Sequence, residues 1–571
     1  MIADGAAPET ATQPSHRPTV GFVSLGCPKN LVDSEVMMGL LHRGGATLTP
    51  RAEDADILVV NTCSFIDSAK QESVDTILEM VQHKIGNGGK AQKLIVAGCL
   101  VERYRDEIRK NIPEVDAVVG TGELEAILEA AGLSQPAHQA NSPFPILTSA
   151  QIERHASSVN QHSRPDSDSP QLHNEADHLH STGLTSRPEG DAREQSGRFS
   201  RDSWDGATAA LPTYLYSDET PRILSTPRAS AYIKIAEGCD HPCSFCIIPQ
   251  LRGKFRSRPI ASIVAEAKSL IAQGVREITL IGQDTTCYGE DLPPQLFASH
   301  ESVSPGLEGG FSPLSARGET KGFSPGEAAT KLRKPELADL LNALAPLEGL
   351  KWLRFLYAYP NKITTRLLET IARHDNIAKY LDVPLQHASA SVLRRMKRGG
   401  TADRFLQIIA KARSIVPNLV LRTSFIVGFP GETEQDFEEL LAFVQAAQID
   451  WLGVFSYSDE EGAEAFNNAP ELKVPKRTIE SRRRKLMKLQ QKISKKARKN
   501  WIGRQLDILV EGESEETELL WQGRSLDQAP EIDGKVLIND FGPHEVLVPG
   551  TFYRAEITES HDYDVVARII E

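Results

Sequence analysis

The sequence predicts an α/β protein with a doubly wound N-terminal domain, a central partial (βα)6 barrel and a small C-terminal β-barrel. Apolar segments alternate with helical patterns twice along the chain, in residues 19–133 and in residues 229–475, and such alternation is typical of parallel sheets. Residues 505–571 instead alternate short strand candidates with turns, which is typical of a small closed β-barrel. A chain of 571 residues is also too long for a single hydrophobic core, so we expect several domains.

The composition is that of an ordinary globular protein, with 25% charged and 40% hydrophobic residues. The net charge of -13 argues against a surface coated in positive charge for bulk nucleic-acid binding, although it allows a local basic patch. No apolar run approaches the roughly 18 residues that span a bilayer, so we expect no membrane partner. Six of the seven cysteines fall into two sets of three, which favours a cytoplasmic protein with metal clusters over a disulfide framework.

In the N-terminal domain, residues 19–133, each of three strand candidates ends at a cysteine. These cysteines, Cys27, Cys63 and Cys99, are spaced 36 residues apart. The carboxyl ends of parallel strands share one edge of the sheet, so we expect the three thiols to converge. One interpretation is three buried structural cysteines; the interpretation that we favour is an iron–sulfur cluster that keeps one iron free of protein ligands. The strand candidates are residues 20–25, 57–61 and 93–97, and the helical patterns are residues 33–42, 67–82 and 102–111.

Residues 134–228 lose this pattern and are predicted to form a disordered linker. Within them, residues 151–210 contain ten serines and only seven large apolar or cysteine residues. Such a segment buries too little apolar surface to offset the entropy of ordering it. The five histidines of the segment keep no ligand spacing, so we favour a solvated linker over metal capture. They are His155, His162, His173, His178 and His180.

The central domain, residues 229–475, is predicted to contain six βα units, which suggests an open parallel barrel. A Gly-, Pro- and Ser-rich insertion, residues 291–333, interrupts it after the second strand and is predicted to be a disordered loop without a catalytic role. The strand candidates are residues 231–236, 277–281, 353–358, 380–384, 420–427 and 452–457, and the helical patterns are residues 260–273, 334–344, 364–374, 402–414 and 433–446.

A loop with the spacing C-x3-C-x2-C follows the first barrel strand and places Cys239, Cys243 and Cys246 together. Gly238 and Pro242 favour a curled loop over a regular helix or strand. A structural zinc site requires four ligands, usually as two pairs, whereas three thiolates can hold an iron–sulfur cubane with one open iron. We therefore favour a cluster over a zinc knuckle. The remaining thiol, Cys287, is predicted to be a buried bystander.

Two groups of motifs resemble a known family. The loop of residues 237–253 resembles the radical S-adenosylmethionine (SAM) enzymes, and residues 26–35 and 61–66 closely resemble the N-terminal domain of methylthiotransferases. The resemblance implies two 4Fe-4S clusters, one held by Cys239, Cys243 and Cys246 and the other by Cys27, Cys63 and Cys99.

The resemblance also implies how SAM is used. SAM would serve both as methyl donor and, after cleavage by one electron from a donor, as the source of a 5′-deoxyadenosyl radical that attacks a C–H bond. Phe245, Gln283 and Gly428 are implied to lie near SAM. No catalytic side chain beyond the cluster ligands is expected, because the cofactors carry the difficult steps.

Two C-terminal segments are candidates for contact with RNA or with a ribosomal partner. Residues 476–504 carry thirteen Lys or Arg and one acidic residue, with an apolar stripe at helical spacing. Two interpretations of this pattern are equally good. One is a helix packed on the barrel with a solvated charged face, and the other is a basic patch that attracts RNA or a ribosomal partner. Residues 505–571 resemble the TRAM domain, a docking module for RNA or protein.

The substrate is implied by the closest branch of the family, which modifies the β-carbon of an aspartate in small-subunit ribosomal protein S12. Residues 26–35, 237–253, 382–387 and 423–432 carry this resemblance. The branch that modifies tRNA adenosine is the alternative within the family. A non-catalytic RNA-binding iron–sulfur scaffold is the alternative from another class, and the vacant iron that the C-x3-C-x2-C spacing implies argues against it.

Overall fold

The computed structural model describes residues 17–133, 211–298 and 330–571, except for residues 228, 469, 515, 516 and 518. The five histidines of the predicted linker and most of the second insertion lie outside these residues. Within the described part of the chain, no helix combines the length and the apolar character needed to cross a membrane.

The N-terminal domain is a five-stranded parallel sheet with helices on both faces, as predicted. The central strand β3 is buried along its whole length: Ile57 and Val59 face one hydrophobic core, and Leu58 and Val60 face the other. The two short strands β2 and β5 were not predicted, because three residues carry too little apolar pattern. The strands are β1 (Thr19–Ser24), β2 (Thr47–Thr49), β3 (Ile57–Thr62), β4 (Lys93–Gly98) and β5 (Ala117–Val119), in the order β2-β1-β3-β4-β5. The helices are α1 (Pro28–Arg43), α2 (Asp67–Val81), α3 (Cys99–Asn111) and α4 (Ile127–Ala131).

The central domain contains the six predicted parallel strands, arranged as two three-stranded sheets that one bridge between Leu353 and Ile377 joins into an open barrel. A short antiparallel pair, β7 with β8, closes the base of the cysteine loop. The barrel strands are β6 (Ser230–Lys234), β9 (Glu277–Ile281), β12 (Trp352–Phe355), β13 (Tyr380–Asp382), β14 (Val420–Val427) and β15 (Trp451–Ser456). The two pairs outside the barrel are β7 (Ala236–Glu237) with β8 (Arg256–Ser257) and β10 (Gln295–Ala298) with β11 (Thr330–Arg333).

Helices follow the barrel strands in the order that the sequence predicts. Thr364, Thr401 and Thr433 each accept a hydrogen bond from a backbone N–H of the first turn, which fixes where three of these helices begin. The helices are α5 (Ile248–Arg252), α6 (Ile260–Ala272), α7 (Leu337–Leu344), α8 (Thr365–Arg373), α9 (Ala390–Arg395), α10 (Ala402–Ile415), α11 (Glu434–Ala447) and α12 (Lys476–Lys499).

The structure corrects the predicted linker at its C-terminal end. Residues 211–227, which we call the strap, form no regular helix or strand but pack against both domains. Arg222 bridges Glu35 of α1, at 2.6 Å, and Glu266 of α6, at 2.7 Å, and Tyr216 is 3% exposed. The strap lies so close to α1 that a Cβ added to Gly39 would stand 2.3 Å from the Pro221 carbonyl oxygen. Buried ion pairs hold the strap in place, and the order of this segment could not be predicted because its apolar residues follow no periodic pattern.

The second insertion is likewise shorter than predicted at both ends. Strands β10 and β11 form an antiparallel ribbon from its first and last described residues. Asp291 accepts a hydrogen bond from the Ser257 backbone N–H at 2.8 Å, and Arg333 pairs with Asp339 at 2.6 Å. These contacts fix both ends of the insertion to the barrel.

The C-terminal domain is a closed five-stranded barrel, as predicted, and α12 joins it to the central domain. One face of α12 buries Ile479, Leu486 and Ile493, while its other face is basic and exposed. The strands are β16 (Gln505–Glu513), β17 (Trp521–Ser525), β18 (Val536–Asp540), β19 (Phe552–Ser560) and β20 (Val565–Ile569), in the order β16-β17-β18-β20-β19.

The C-terminal domain covers the amino-terminal ends of the central barrel strands. Arg524 of β17 pairs with Glu277, the first residue of β9, at 2.6 Å. The Tyr380 hydroxyl, on the first residue of β13, donates to Asp533 at 2.6 Å. This leaves the carboxyl ends of the strands, where parallel barrels carry their chemistry, facing the N-terminal domain.

Candidate iron–sulfur and SAM site

Cys27, Cys63 and Cys99, which we call the N-terminal triad, lie at the carboxyl ends of three neighbouring strands. They follow β1, β3 and β4, which are adjacent in the sheet, so the sheet brings them to one edge as the sequence predicts. Burial raises the pKa of Cys99 to about 12, with Cys63 and Cys27 adding to the rise and a nearby guanidinium opposing it. The three thiols are therefore close enough for the charge on one to disfavour charge on the others.

Tight turns hold this triad in place. Gly26 has a φ of 91°, and a Cβ added there would lie 2.7 Å from the Cβ of Cys63, so only glycine fits between the two cysteines. Asn61 donates to the Asn30 carbonyl oxygen at 2.9 Å, and the Ser73 hydroxyl accepts from the Cys63 backbone N–H at 3.0 Å. The loops that carry the triad are thus fixed by buried hydrogen bonds.

Cys239, Cys243 and Cys246, which we call the barrel triad, lie in the loop after β6. Gly238 has a φ of 80°, and a Cβ there would stand 2.1 Å from the Lys254 carbonyl oxygen, so the loop begins with a turn that requires glycine. Burial raises the pKa of Cys239 to about 11 and that of Cys246 to about 12. The thiols of Cys239 and Cys246 therefore stay protonated until a metal replaces the proton.

Neither triad has its three sulfurs at the spacing of the ligands of a single metal ion. Among the described residues, the only three metal-ligating atoms within 4.8 Å of one another belong to His241, Asp284 and Cys287, so neither triad is drawn in to that spacing. Sulfurs bound to one zinc ion at about 2.3 Å can lie no further apart than about 4.6 Å. All seven cysteines are unpaired. The three free thiols of each triad are the kind of ligand that an iron–sulfur cluster takes, and zinc spacing is found in neither triad.

A chain of buried charges connects the two triads. Arg252, at the end of α5, donates to Cys99 Sγ at 3.4 Å, to Asp33 at 2.8 Å and to Glu237 at 3.3 Å. Lys234 also pairs with both carboxylates. Burial acts to raise the pKa of Glu237, but Lys234 and Arg252 hold it well below its usual value. Glu237 begins the loop of the barrel triad, so these ion pairs set the position of that loop relative to Cys99.

Residues after β12 reach towards both triads. Tyr357 has a φ of 65°, and the Lys29 ammonium lies 3.4 Å from its ring centroid. Burial acts to lower the pKa of Lys29, but Tyr357 and Cys27 outweigh it, so that the pKa is raised and the side chain stays charged. Two residues later, Tyr359 stacks on His241 in the barrel-triad loop at 4.0 Å. The segment after β12 therefore lies between the two sets of cysteines.

His241, Asp284 and Cys287 form a hydrogen-bonded group beside that loop. Asp284 accepts from His241 at 2.6 Å, from Cys287 at 3.1 Å and from Thr286. Burial raises the pKa of the Cys287 thiol far above its usual value, and the Asp284 carboxylate adds to the rise. Cys287 is 8% exposed, so it is buried and neutral, as predicted.

The three residues predicted to lie near SAM are not all gathered at one point. The Gln283 side chain donates to Glu237 at 2.5 Å, and its amide oxygen Oε1 is buried with no hydrogen-bond partner among the described residues. Phe245 packs instead against the apolar group that includes Phe429, next to Gly428 in the chain. At Gly428, which has a φ of 83°, an added Cβ would meet Ile479 of α12 at 2.3 Å. Phe245 and Gly428 thus share one side of the barrel-triad loop, and Gln283 lies by Glu237.

Sequence reasoning missed the cations that accompany the thiols. Arg252 contacts Cys99, and Arg398 donates to Cys243 Sγ at 3.5 Å and stacks on Tyr359. Lys29 lies within residues 26–35, which carry the family resemblance, but the sequence alone indicated no role for it. Their only sequence signal is proximity to a cysteine or to a strand end.

The three domains match known family models. The model described as uncharacterized protein family UPF0004 matches residues 19–120, the radical SAM superfamily model matches residues 233–444, and the TRAM domain model matches residues 502–570. Together with the two thiol triads, these matches define the class of the protein: a radical SAM enzyme that uses an iron–sulfur cluster and SAM.

Full-length relatives define the family. The chain is 61% identical over 562 residues to the ribosomal protein uS12 methylthiotransferase RimO of Koribacter versatilis, covering 98% of both chains. It is 48% identical to the protein of that name from Solibacter usitatus, covering 96% of this chain and 94% of that one. The chain therefore belongs to the ribosomal protein uS12 methylthiotransferase family, a family of radical SAM enzymes that transfer a sulfur-containing group. The comparisons favour neither the tRNA branch nor a non-catalytic scaffold.

A solved structure shows a more distant likeness. The radical SAM methyltransferase TsrM of Kitasatospora setae, with tryptophan and a SAM analogue bound, aligns with a TM-score of 0.43 and 13% identity over 77% of this chain and 73% of that one.

Proposed function

We propose that this protein adds a methylthio group to the β-carbon of an aspartate in ribosomal protein uS12, with two 4Fe-4S clusters and with SAM as both methyl donor and radical source. The Koribacter and Solibacter relatives carry the name of this activity. The observation that carries the proposal is the position of the N-terminal triad: three free thiols on adjacent strand ends, connected through Arg252 to the loop of the barrel triad.

In this proposal Cys239, Cys243 and Cys246 hold one cluster, and Cys27, Cys63 and Cys99 hold the other. When bound, the clusters and SAM would supply the radical that removes a hydrogen atom and the methylthio group that takes its place. An external donor would supply the electron that cleaves SAM. Phe245, Gln283 and Gly428 remain the proposed SAM contacts.

The side chains of the protein position and enclose these groups. The buried pairs of Arg252 and Lys234 with Asp33 and Glu237 fix the distance between the two triads. Fixed geometry of this kind is what allows reacting groups to meet without reorganisation. Glu237 and Asp33 are each less than 8% exposed, so the region between the triads is closed to bulk water from this side.

The number of clusters is tested by iron analysis of anaerobically reconstituted protein. Wild-type protein is expected to bind about eight irons per chain, and Cys63→Ala about four, because a cubane contains four. Cys287→Ser is the matched control, since Cys287 is hydrogen-bonded to Asp284 and, within the described residues, to no cysteine of either triad. A hydroxyl can still donate to Asp284, so this variant is expected to keep both clusters. If wild-type protein bound only about four irons, the two-cluster proposal would be wrong.

The substrate is tested by mass spectrometry of cells with and without the gene. The uS12 protein is expected to gain the mass of a methylthio group only when the gene is present, and tRNA is expected not to change. A gain on tRNA alone would favour the other branch. A reduced, cluster-loaded protein that formed no 5′-deoxyadenosine from SAM would favour the scaffold.

The basic face of α12 and the C-terminal barrel are the proposed contact with ribosomal RNA. The exposed cations of α12, among them Lys488, Lys492 and Lys496, stand on one side of a chain whose net charge is -13. A local patch of this kind attracts phosphates in spite of the overall charge. The seven unpaired cysteines and a ribosomal substrate support a cytoplasmic location.

A further inference from the structure

Within the part of the chain that the structure describes, the ammonium group of Lys29 has no acidic partner. Lys234 and Arg252 are paired with Asp33 and Glu237, and Arg398 donates to the Pro384 carbonyl oxygen and to a thiol. Lys29 contacts the ring and the hydroxyl of Tyr357. Among the described residues, no carboxylate lies within the 4.0 Å of an ion pair from its Nζ.

The residue beneath this ammonium is held in a strained conformation. Tyr357 has a φ of 65°, which L side chains rarely adopt. Its backbone N–H donates to Asp382 at 2.9 Å, and its carbonyl oxygen accepts from the Thr285 N–H at 3.1 Å. Strain of this kind persists where surrounding contacts enforce it, and it is concentrated at ligand-binding sites.

An ammonium on an aromatic face still has donors to offer. Lysine carries three N–H donors and no acceptor, and the ring of Tyr357 attracts the charge without supplying a carboxylate oxygen. The natural ligand for the remaining donors is an anionic oxygen, because charge-assisted hydrogen bonds are the strong ones.

Resting on the proposed function, we propose that Lys29 binds the side-chain carboxylate of the acceptor aspartate of uS12, and that Tyr357 positions Lys29 for this contact. The carboxylate carbon is bonded directly to the β-carbon that is modified. Binding the carboxylate therefore fixes the reacting carbon one bond away, next to the N-terminal triad. Lys29 is in this way a specificity-determining residue that distinguishes an aspartate from its neutral analogues.

A double-mutant cycle tests this contact by binding, without turnover. Cluster-loaded wild-type enzyme and Lys29→Met are titrated anaerobically with uS12 and with uS12 in which the acceptor aspartate is changed to asparagine. Wild-type enzyme is expected to bind the aspartate form about 10- to 100-fold more tightly, the usual effect of a hydrogen bond between charged groups. In Lys29→Met this preference is expected to fall to within about threefold, and Lys29→Arg is expected to restore part of it.

Controls separate this role from support of the cofactors. Lys93→Met removes a lysine at the opposite, amino-terminal end of β4, where Nζ donates to the Ala130 carbonyl oxygen, and is expected to keep the full preference. An unchanged preference in Lys29→Met would overturn the inference, and so would an equal loss for both forms of uS12 or a loss of iron or of SAM affinity. If wild-type enzyme neither bound nor modified uS12, the proposed function itself would be wrong. If wild-type enzyme modified uS12 but Lys29→Met kept the preference for the aspartate form, only the proposed role of Lys29 would be wrong.

Discussion

The ion pair between Arg524 and Glu277 should hold the C-terminal barrel on the central barrel. Arg524 is 3% exposed and donates to both oxygens of Glu277, at 2.6 and 3.2 Å, and to Glu511 at 2.5 Å. Burial acts to raise the pKa of Glu277, but Arg524 and Arg354 keep it below its usual value. The pair therefore consists of a fully buried carboxylate whose main counter-charge comes from another domain.

Arg524→Met keeps the apolar stem of the side chain and removes its charge. Removing one partner of a buried ion pair costs about 3 to 5 kcal/mol. Arg354 remains 3.7 Å from Glu277, so we expect a loss near the lower limit, about 3 kcal/mol. A double variant, Arg524→Met with Glu277→Gln, should recover part of this loss, because the buried charge is then removed from both sides.

Amide hydrogen exchange with mass spectrometry measures this loss locally, which is necessary because a chain of several domains does not unfold in two states. In peptides that contain β17 and β9, exchange should accelerate by about 150-fold for a loss of about 3 kcal/mol. The control is Arg568→Met, whose partner Glu556 lies 2.9 Å away on the surface with Arg568 at 52% exposure. Such an exposed pair is screened by water and contributes little to stability. Acceleration no greater than in Arg568→Met would refute this reasoning. The iron content should not change, because Glu277 lies at the amino-terminal end of its strand.

Two further predictions concern the interior. Burial lowers the pKa of His387 to about 3, whereas in the unfolded chain it is about 6.5. The unfolded chain therefore takes up a proton first, so the local free energy of unfolding should fall by about 1 kcal/mol between pH 6.5 and pH 5.5. Amide hydrogen exchange of peptides that contain His387, corrected for the pH dependence of intrinsic exchange, measures this fall. His387→Asn should lose it, and an equal fall in wild-type protein and variant would contradict the assignment. Gly39→Val should displace the strap, since even a Cβ would meet the Pro221 carbonyl oxygen at 2.3 Å. Limited proteolysis should then cut within residues 211–227. The control is Gly45→Val, because this glycine has open space around it but a φ of 98°, so the substitution adds only backbone strain.

The convergence of the N-terminal triad could be predicted from the sequence alone. The positions of Cys27, Cys63 and Cys99 after three apolar segments predicted that they would converge, because parallel strands end at one edge. The six βα units and the terminal barrel followed in the same way from periodicity, which is a local property of the chain.

The contacts that join domains could not be found in this way. Arg252 and Cys99 are 153 residues apart, and no local pattern indicates that they meet. The positive φ of Tyr357 depends on Asp382 and Thr285, which come from other barrel units. The strap was predicted to be disordered because it shows no periodic pattern and directly follows the serine-rich residues 151–210, although Arg222 and Tyr216 are buried by charge pairing and aromatic contact.

The strap also bears on how the enzyme could be assembled. Its contacts with α1 and α6, together with the pairs of Arg252, Lys234, Asp33 and Glu237, are non-covalent contacts between the N-terminal domain and the rest of the protein. None of these contacts is made by a residue between 134 and 210, so a break in the peptide chain there would remove none of their side chains. The two cysteine triads would then sit on separate polypeptides, and an enzyme of this architecture could be encoded as two subunits that recognise each other through the strap.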